Sequence, residues 1–196
     1  KQGRVAPCVE ERLLFLVAWA QRKFGTDPSK VYLVGGSMGG SGSVSNALHH
    51  PNAYAAARAN VPIVSYTYQK PHAGSAIRIE GPCGAFLDEL KTPEGIPVLD
   101  RMNGAKVVEE AKGDLPFLIL NHGRKDGSIP WCNNPSFYRA LNAARQAFVA
   151  YWDDGDHGSA GKQAPEDVKA WIAGDKVQRF ALNRSFPAFS NCSTNK

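Results

Sequence analysis

No apolar run in this chain approaches the roughly 20 residues that a membrane span requires. The longest, Leu13 to Ala20, is short and is flanked by Arg12, Gln21, Arg22 and Lys23, so no membrane partner is expected. Nor is there a C-x-x-C pair. Cys8, Cys83, Cys132 and Cys192 are widely separated, and a zinc site is therefore not expected. Their even number suits one or two disulfides in an exported enzyme, with three pairings allowed, and buried free thiols fit the count as well. A secreted or extracytoplasmic location is the corresponding expectation. Basic stripes are absent too. The formal charge is +5, but Arg22-Lys23, Arg124-Lys125, Arg179 and Arg184 are scattered and not interleaved with aromatics, which argues against nucleic acid. A solubilising surface accounts for them, with a preference for acidic substrates as the other reading. The opening Lys1-Gln-Gly-Arg4 lacks both an initiator Met and the succession of charged, apolar and small residues of a signal peptide. A numbering that begins inside a longer chain, or after processing, is expected.

What is present suits one buried core: 196 residues, 43% hydrophobic and 21% charged, ordinary values for a soluble domain. The chain is organised around Val31 to Ser43. A short β-prone apolar run ends in Gly35-Gly36-Ser37-Met38-Gly39-Gly40, and a segment able to form a helix follows to about His50. Strand, sharp turn and helix with a serine at the apex is the pattern of a nucleophile elbow. The glycines fit such a turn because a Cβ beside the serine would meet the adjoining strand and helix.

Elsewhere strand-like and helix-like segments alternate. Val9 to Phe24 reads as an amphipathic helix with Val9, Leu13, Leu16, Val17, Ala20 and Phe24 on one face. Gly25 and Thr26-Asp27-Pro28 stop it. Val31 to Val34 is uniformly apolar, as for a central strand covered on both faces. Ala56 to Val64 is a second strand, its edge blurred by Pro62. Residues 65–113, rich in Pro and Gly, form an irregular, cap-like excursion with one helix near Gly104 to Ala111. Tyr66, Tyr68, His72 and Phe86 there either line a pocket or simply cover the core. Phe117 to Leu120 and Ala147 to Trp152 are further strands. Between them Asn133-Asn134-Pro135 caps a helix to about Gln146, and a last helix runs from about Ala164 to Ala173. The expectation is an α/β domain over 1–173 with a mainly parallel sheet flanked by helices. Residues 174–196 read as an extension or linker. Asn183-Arg-Ser185 and Asn191-Cys-Ser193 match a glycosylation pattern too short to carry weight.

Three loops at carboxyl ends of parallel strands carry Ser37, Asp126 and His157. Such ends gather on one edge of the sheet, where ligands bind. A serine needs a base within hydrogen-bond reach, and the base needs an acid to fix its tautomer and stabilise its cation. Ser41, Ser43 and Ser45 are rivals that suit packing or capping better. His49, His50, His72 and His122 are rivals to His157. Asp153, Asp154 and Asp156 are rivals to Asp126, but lie too near His157 in sequence to reach its outer ring nitrogen easily. Asp154-x-Asp156 hints at calcium, yet no glycine and glutamate follow at the required spacing. Neither metal nor cofactor is expected.

Gly35-Gly-Ser-Met-Gly-Gly40, His122-Gly-x-x-Asp126-x-x-Ile-Pro130 and Asp156-His157-Gly158 together resemble the catalytic half of an α/β-hydrolase, in its prolyl-oligopeptidase-like and secreted-esterase branch. The resemblance covers roughly Val9 to Ala173. It implies Ser37 as nucleophile, Asp126 as acid, His157 as base and the backbone N–H of Met38 as one oxyanion donor. It also implies a serine hydrolase working through an acyl-enzyme. A carboxylic ester is the favoured substrate, such as an acyl or feruloyl group on a polysaccharide or a small-molecule ester. A prolyl-oligopeptidase-like peptidase is the alternative, and a non-catalytic interaction module the reading from another class. The chain departs from the family in one respect. The family's strands before the elbow, with a second oxyanion donor among them, have no counterpart upstream of Val9. The expected completion is the amino-terminal remainder of the same protein or a second chain.

Overall fold

The computed structural model describes residues 3–66 and 90–184. In order the elements are β1 (Gly3–Arg4), α1 (Cys8–Phe24), β2 (Tyr32–Gly36), α2 (Met38–His49), β3 (Ala56–Asn60), β4 (Leu90–Lys91), α3 (Val98–Arg101), α4 (Gly104–Glu110), β5 (Phe117–Gly123), α5 (Asn134–Ala143), β6 (Phe148–Asp153) and α6 (Glu166–Ile172). Single 3-10 turns occupy Trp131–Asn133 and Val177–Arg179. Four strands form one sheet in the order β2-β3-β5-β6, and every neighbouring pair is parallel. β1 and β4 pair separately.

Continuous apolar strands make two core layers. On one face Ala57, Ala59, Leu118 and Leu120 meet Val44 of α2 and Phe137 of α5. Ala56 and Ile119 on the other face meet Val177 and Phe180, with Phe117 stacked on Phe180 at 4.1 Å. The segment after Gly174 therefore packs on the sheet at least as far as Leu182. Tyr68, His72, Phe86, Cys83, Cys192 and both glycosylation patterns' serines lie outside the described residues, whereas Cys8 and Cys132 lie on the surface.

Several local expectations change. Among the described residues β2 lies at an edge of the sheet, not in its centre: it pairs only with β3, and Val34 is 59% exposed. Among the described residues the apolar face of α1 is only partly covered, with Val9 72%, Leu16 47% and Phe24 66% exposed and Leu13, Val17 and Ala20 half-buried; the buried residue of this helix is Glu10. Instead α1 is held by a polar anchor. Glu10 takes a two-pronged contact from Arg101 and one from His50 at 2.9 Å. Apolar periodicity reports that a face is suited to being covered, not which segment covers it. β3 stops at Asn60 because Val61 turns to φ 43°. α5 ends at Ala143 rather than Gln146. Asn133 does not cap α5 with its side chain, which donates to Ser65 O at 2.8 Å instead.

Candidate active site

The site grows out of the turn between β2 and α2. Ser37 lies at φ 54°, ψ −121°, a region that disfavours any residue with a Cβ and is found at strained functional turns. Backbone bonds hold it there. Ser37 N–H donates to Asn60 O at 2.8 Å, and Ser41 N–H donates to Ser37 O at 2.9 Å. Two of the surrounding glycines are required by space. A Cβ on Gly35 would stand 2.3 Å from the carbonyl of Gly39, and one on Gly40 would stand 2.8 Å from Asn60 O. Gly39 has nothing within 4 Å, and Gly36 meets only Asn60 Cβ at 4.0 Å. The clash expected beside the serine therefore holds at Gly35 and Gly40, not at Gly36 or Gly39.

At the carboxyl end of β5, Asp126 folds back into its own turn. Its Oδ1 accepts from the backbone N–H groups of Ser128 and Ile129 at 2.8 and 2.9 Å. With that oxygen engaged and the side chain fully buried, Oδ2 is aimed at His157 Nδ1, 2.7 Å away. His157 Nε2 in turn lies 2.8 Å from Ser37 Oγ. Nδ1–H donates to the carboxylate, which leaves Nε2 as acceptor for the serine hydroxyl. The His157 side chain is about one-third exposed, so the chain of contacts runs from a dry end at Asp126 to a wet end at Ser37. Met38, the first residue of α2, follows the serine and is 80% exposed.

The rival residues serve other purposes. Asp153 accepts from Gly155 and Gly161, and Asp156 accepts from Gly158 and Ser159, so both shape the turn that carries His157. The Asp156 carboxyl is held below its ordinary range chiefly by the Ser159 hydroxyl. Asp154 pairs at the surface with Arg124. His122 is completely buried with its Nδ1 on Gly123 O, and burial pushes its pKa down, favouring the neutral ring. His49 is likewise lowered by burial, and His50 is engaged with Glu10. Ser43 bonds back to Gly39 O, and Ser45 reaches Glu10.

Asn60 and Asn121 escaped the sequence reading, and Ser41, read there only as suited to packing or capping, supports the elbow. The Ser41 hydroxyl donates to Ser37 O at 3.0 Å and accepts from Ile63 N–H at 2.8 Å. It joins the elbow to the chain beyond β3. Asn60 and Asn121 are register partners on β3 and β5, and the amide of Asn121 donates to both Asn60 Oδ1 and Ala160 O. A polar residue at the last positions of an otherwise apolar strand was the available signal.

A cavity of about 520 Å³ lies away from this edge, bordered by Leu48, His49 and Leu115. Those residues are at the end of α2 and ahead of β5, so the cavity is near the opposite edge of the sheet.

The model of the prolyl oligopeptidase family matches residues 7–174. No curated protein matches the chain. Among solved structures, an acylaminoacyl peptidase of Pyrococcus horikoshii is similar at 18% identity and a TM-score of 0.60, over 83% of this chain and 26% of that one. Dipeptidyl peptidase 4 of Porphyromonas gingivalis is similar at 16% identity and 0.57, over 76% and 19%. An S-formylglutathione hydrolase of Agrobacterium tumefaciens is similar at 23% identity and 0.50, over 73% and 48%. At these identities the likeness is one of fold, a partial α/β-hydrolase. The chain spans less than half the length of each of these three proteins.

Proposed function

The chain belongs to the prolyl oligopeptidase family, a family of serine hydrolases, and from that premise we propose that it works through an acyl-enzyme on Ser37. The observation that carries this reading is the unbroken run of contacts Asp126–His157–Ser37, at 2.7 and 2.8 Å. Ser37 Oγ attacks a carbonyl carbon while His157 Nε2 takes its proton. Buried Asp126 keeps the ring in the productive tautomer and stabilises the imidazolium that forms. The tetrahedral oxyanion is met by the N–H of Met38 at the start of α2. Collapse of that intermediate expels the leaving group with the proton returned from His157. Water, deprotonated by the same nitrogen, then releases the acid.

A carboxylic ester is the proposed substrate, in the range from a small-molecule ester to an acyl or feruloyl group on a glycan. Peptide cleavage is the second reading, favoured by the family and by the peptidases that share the fold. The open side of β2 and the partly covered face of α1 support a further proposal: the amino-terminal remainder of the protein, or a completing chain, pairs there and supplies the second oxyanion donor.

A fluorophosphonate probe tests the central reading. Labelling should be confined to Ser37 and vanish in Ser37→Ala; equal labelling of that variant rejects the proposal. Turnover of an aryl ester, a feruloyl sugar and a dipeptide amide then separates ester from peptide chemistry.

A further inference from the structure

A hydrogen-bonded path joins the turn that holds Ser37 to the loop that holds His157, and it passes beneath the reacting atoms. It starts with Ser37 N–H on Asn60 O at 2.8 Å. From Asn60 it crosses the sheet twice. Val61 N–H donates to Asn121 O at 2.7 Å, and the Asn121 amide donates to Asn60 Oδ1. The same amide nitrogen donates to Ala160 O at 3.1 Å, three residues beyond His157. Asn121 is 3% exposed.

Two features show that the structure is bent around this bridge. Val61, a β-branched residue, is held at φ 43° immediately after Asn60, where such a residue is a genuine outlier. Gly161 stands at φ 81°, and a Cβ there would be 2.7 Å from the Asn121 amide nitrogen and 2.7 Å from Ile172. The loop is thus pressed onto Asn121 by a residue that must be glycine. The Asn121 amide oxygen has no hydrogen-bond partner among the described residues. An unpaired buried amide oxygen is costly, and an apolar side chain would avoid it. Its retention is accounted for if the two donated bonds are what the position requires.

We propose that Asn121, acting through Asn60, is a positioning residue that sets the separation of His157 from Ser37. The inference rests on the reading of those two residues as base and nucleophile. Two acceptors, Asn60 Oδ1 and Ala160 O, face the amide nitrogen. Asn121→Asp keeps the size of the side chain but replaces that donor with a third acceptor. The loop then lifts from β5, and His157 moves with it. Asn121→Leu removes the bridge without adding repulsion and should act in the same direction more weakly.

The test uses the full chain and two independent readouts. The first is the low-field Nδ1–H proton of His157 in nuclear magnetic resonance. It reports the contact with Asp126 whether or not the protein turns over substrate. It should be displaced or lost to exchange in Asn121→Asp and unchanged in Leu141→Ala, a core control chosen to lose thermal stability. The second is the rate of fluorophosphonate labelling per folded molecule, expected to fall 10- to 100-fold in Asn121→Asp, as an ångström-scale misplacement implies, and to hold in Leu141→Ala. Asn60→Ala combined with Asn121→Asp should cost less than the two changes added together, since both cut one bridge. An unchanged His157 resonance in Asn121→Asp overturns the inference, as does an equal loss in Leu141→Ala. Absence of labelling in the parent protein refutes the nucleophile reading instead and leaves the resonance to judge the bridge.

Discussion

Gly35→Ala against Gly39→Ala is the sharpest perturbation of the elbow, because the two glycines of one short pattern differ in what surrounds them. At Gly35 the added methyl carbon would sit 2.3 Å from the carbonyl carbon and oxygen of Gly39 and 2.7 Å from Gly40 N. Ordinary contact begins near 3.4 Å, so about 1 Å of relief is needed. All three obstructing atoms are backbone, and no rotamer change provides it. The start of α2 has to retreat from β2. Overpacking of this kind costs typically 1–3 kcal/mol and more when the backbone must move; we expect about 3 kcal/mol. In a chain of this size that lowers the melting temperature by about 6–12 °C. A retreat of about 1 Å also stretches the 2.8 Å contact of Ser37 Oγ to His157 Nε2 beyond hydrogen-bond range, with a labelling loss on the order of 100-fold. Gly39 meets nothing within 4 Å and lies in the first turn of α2. Alanine there should leave the melting temperature within about 2 °C or raise it, since alanine is the better helix former by about 1 kcal/mol. Thermal unfolding followed by circular dichroism, paired with labelling rates, measures both. The steric reasoning is refuted if Gly35→Ala melts with the parent, or if Gly39→Ala is equally damaging.

Three other expectations follow from the geometry. At φ 54° position 37 should reverse the usual order of small residues: Ser37→Gly should melt about 2–4 °C above Ser37→Ala, reflecting about 1 kcal/mol, and the opposite order would deny the strain. Burial alone would raise the Glu10 carboxyl, but the hydrogen bond and charge of Arg101, followed by the His50 bond, outweigh it and hold the pKa below its ordinary 4.5. The folded value being depressed, this stabilisation is complete above 4.5 and drains away as pH falls through the folded value. Glu10→Gln should therefore cost about 2 kcal/mol at neutral pH by leaving Arg101 without its carboxylate, and the gap from the parent should close in acid melts. Finally, Val34→Lys should reduce self-association of the isolated chain in sedimentation velocity, because Val34 is exposed on a strand at the edge of the described sheet, and an open edge invites pairing; an unchanged profile would show that this edge is not adhesive.

The alternation of the sheet strands and the longer helices was legible because β2, β5 and β6 are largely apolar runs and α1 and α5 carry periodic apolar faces. Gly25, at φ 62° with its N–H on Gln21 O, ends α1 where the sequence indicates. Ser37, Asp126 and His157 were legible as candidates because strand ends of a parallel sheet converge, and the structure brings those three together. What local pattern does not encode is partnership between distant segments. The β2 run looks the same whether one strand or two flank it. Asp153 and Asp156 spend their carboxylates on amides of the turn that carries His157, whereas Asp126 keeps one oxygen for the ring itself. Nothing in the sequence pairs Asn60 with Asn121 until the register puts them side by side. Asn133 has the chemistry of a cap, but Ser65 O claims its side chain.

Parallel pairing also has a consequence in time. The contact between Ser37 and His157 spans 120 residues of chain, and that between Asp126 and His157 spans 31. During synthesis at roughly 5–20 residues per second, the serine leaves the ribosome about 6–24 s before the histidine that faces it. No earlier stretch of the described chain places a histidine within reach of that hydroxyl; His49, His50 and His122 are committed elsewhere. Among the described residues, the contact of Ser37 with a histidine therefore forms only once β6 and the loop after it have joined the sheet.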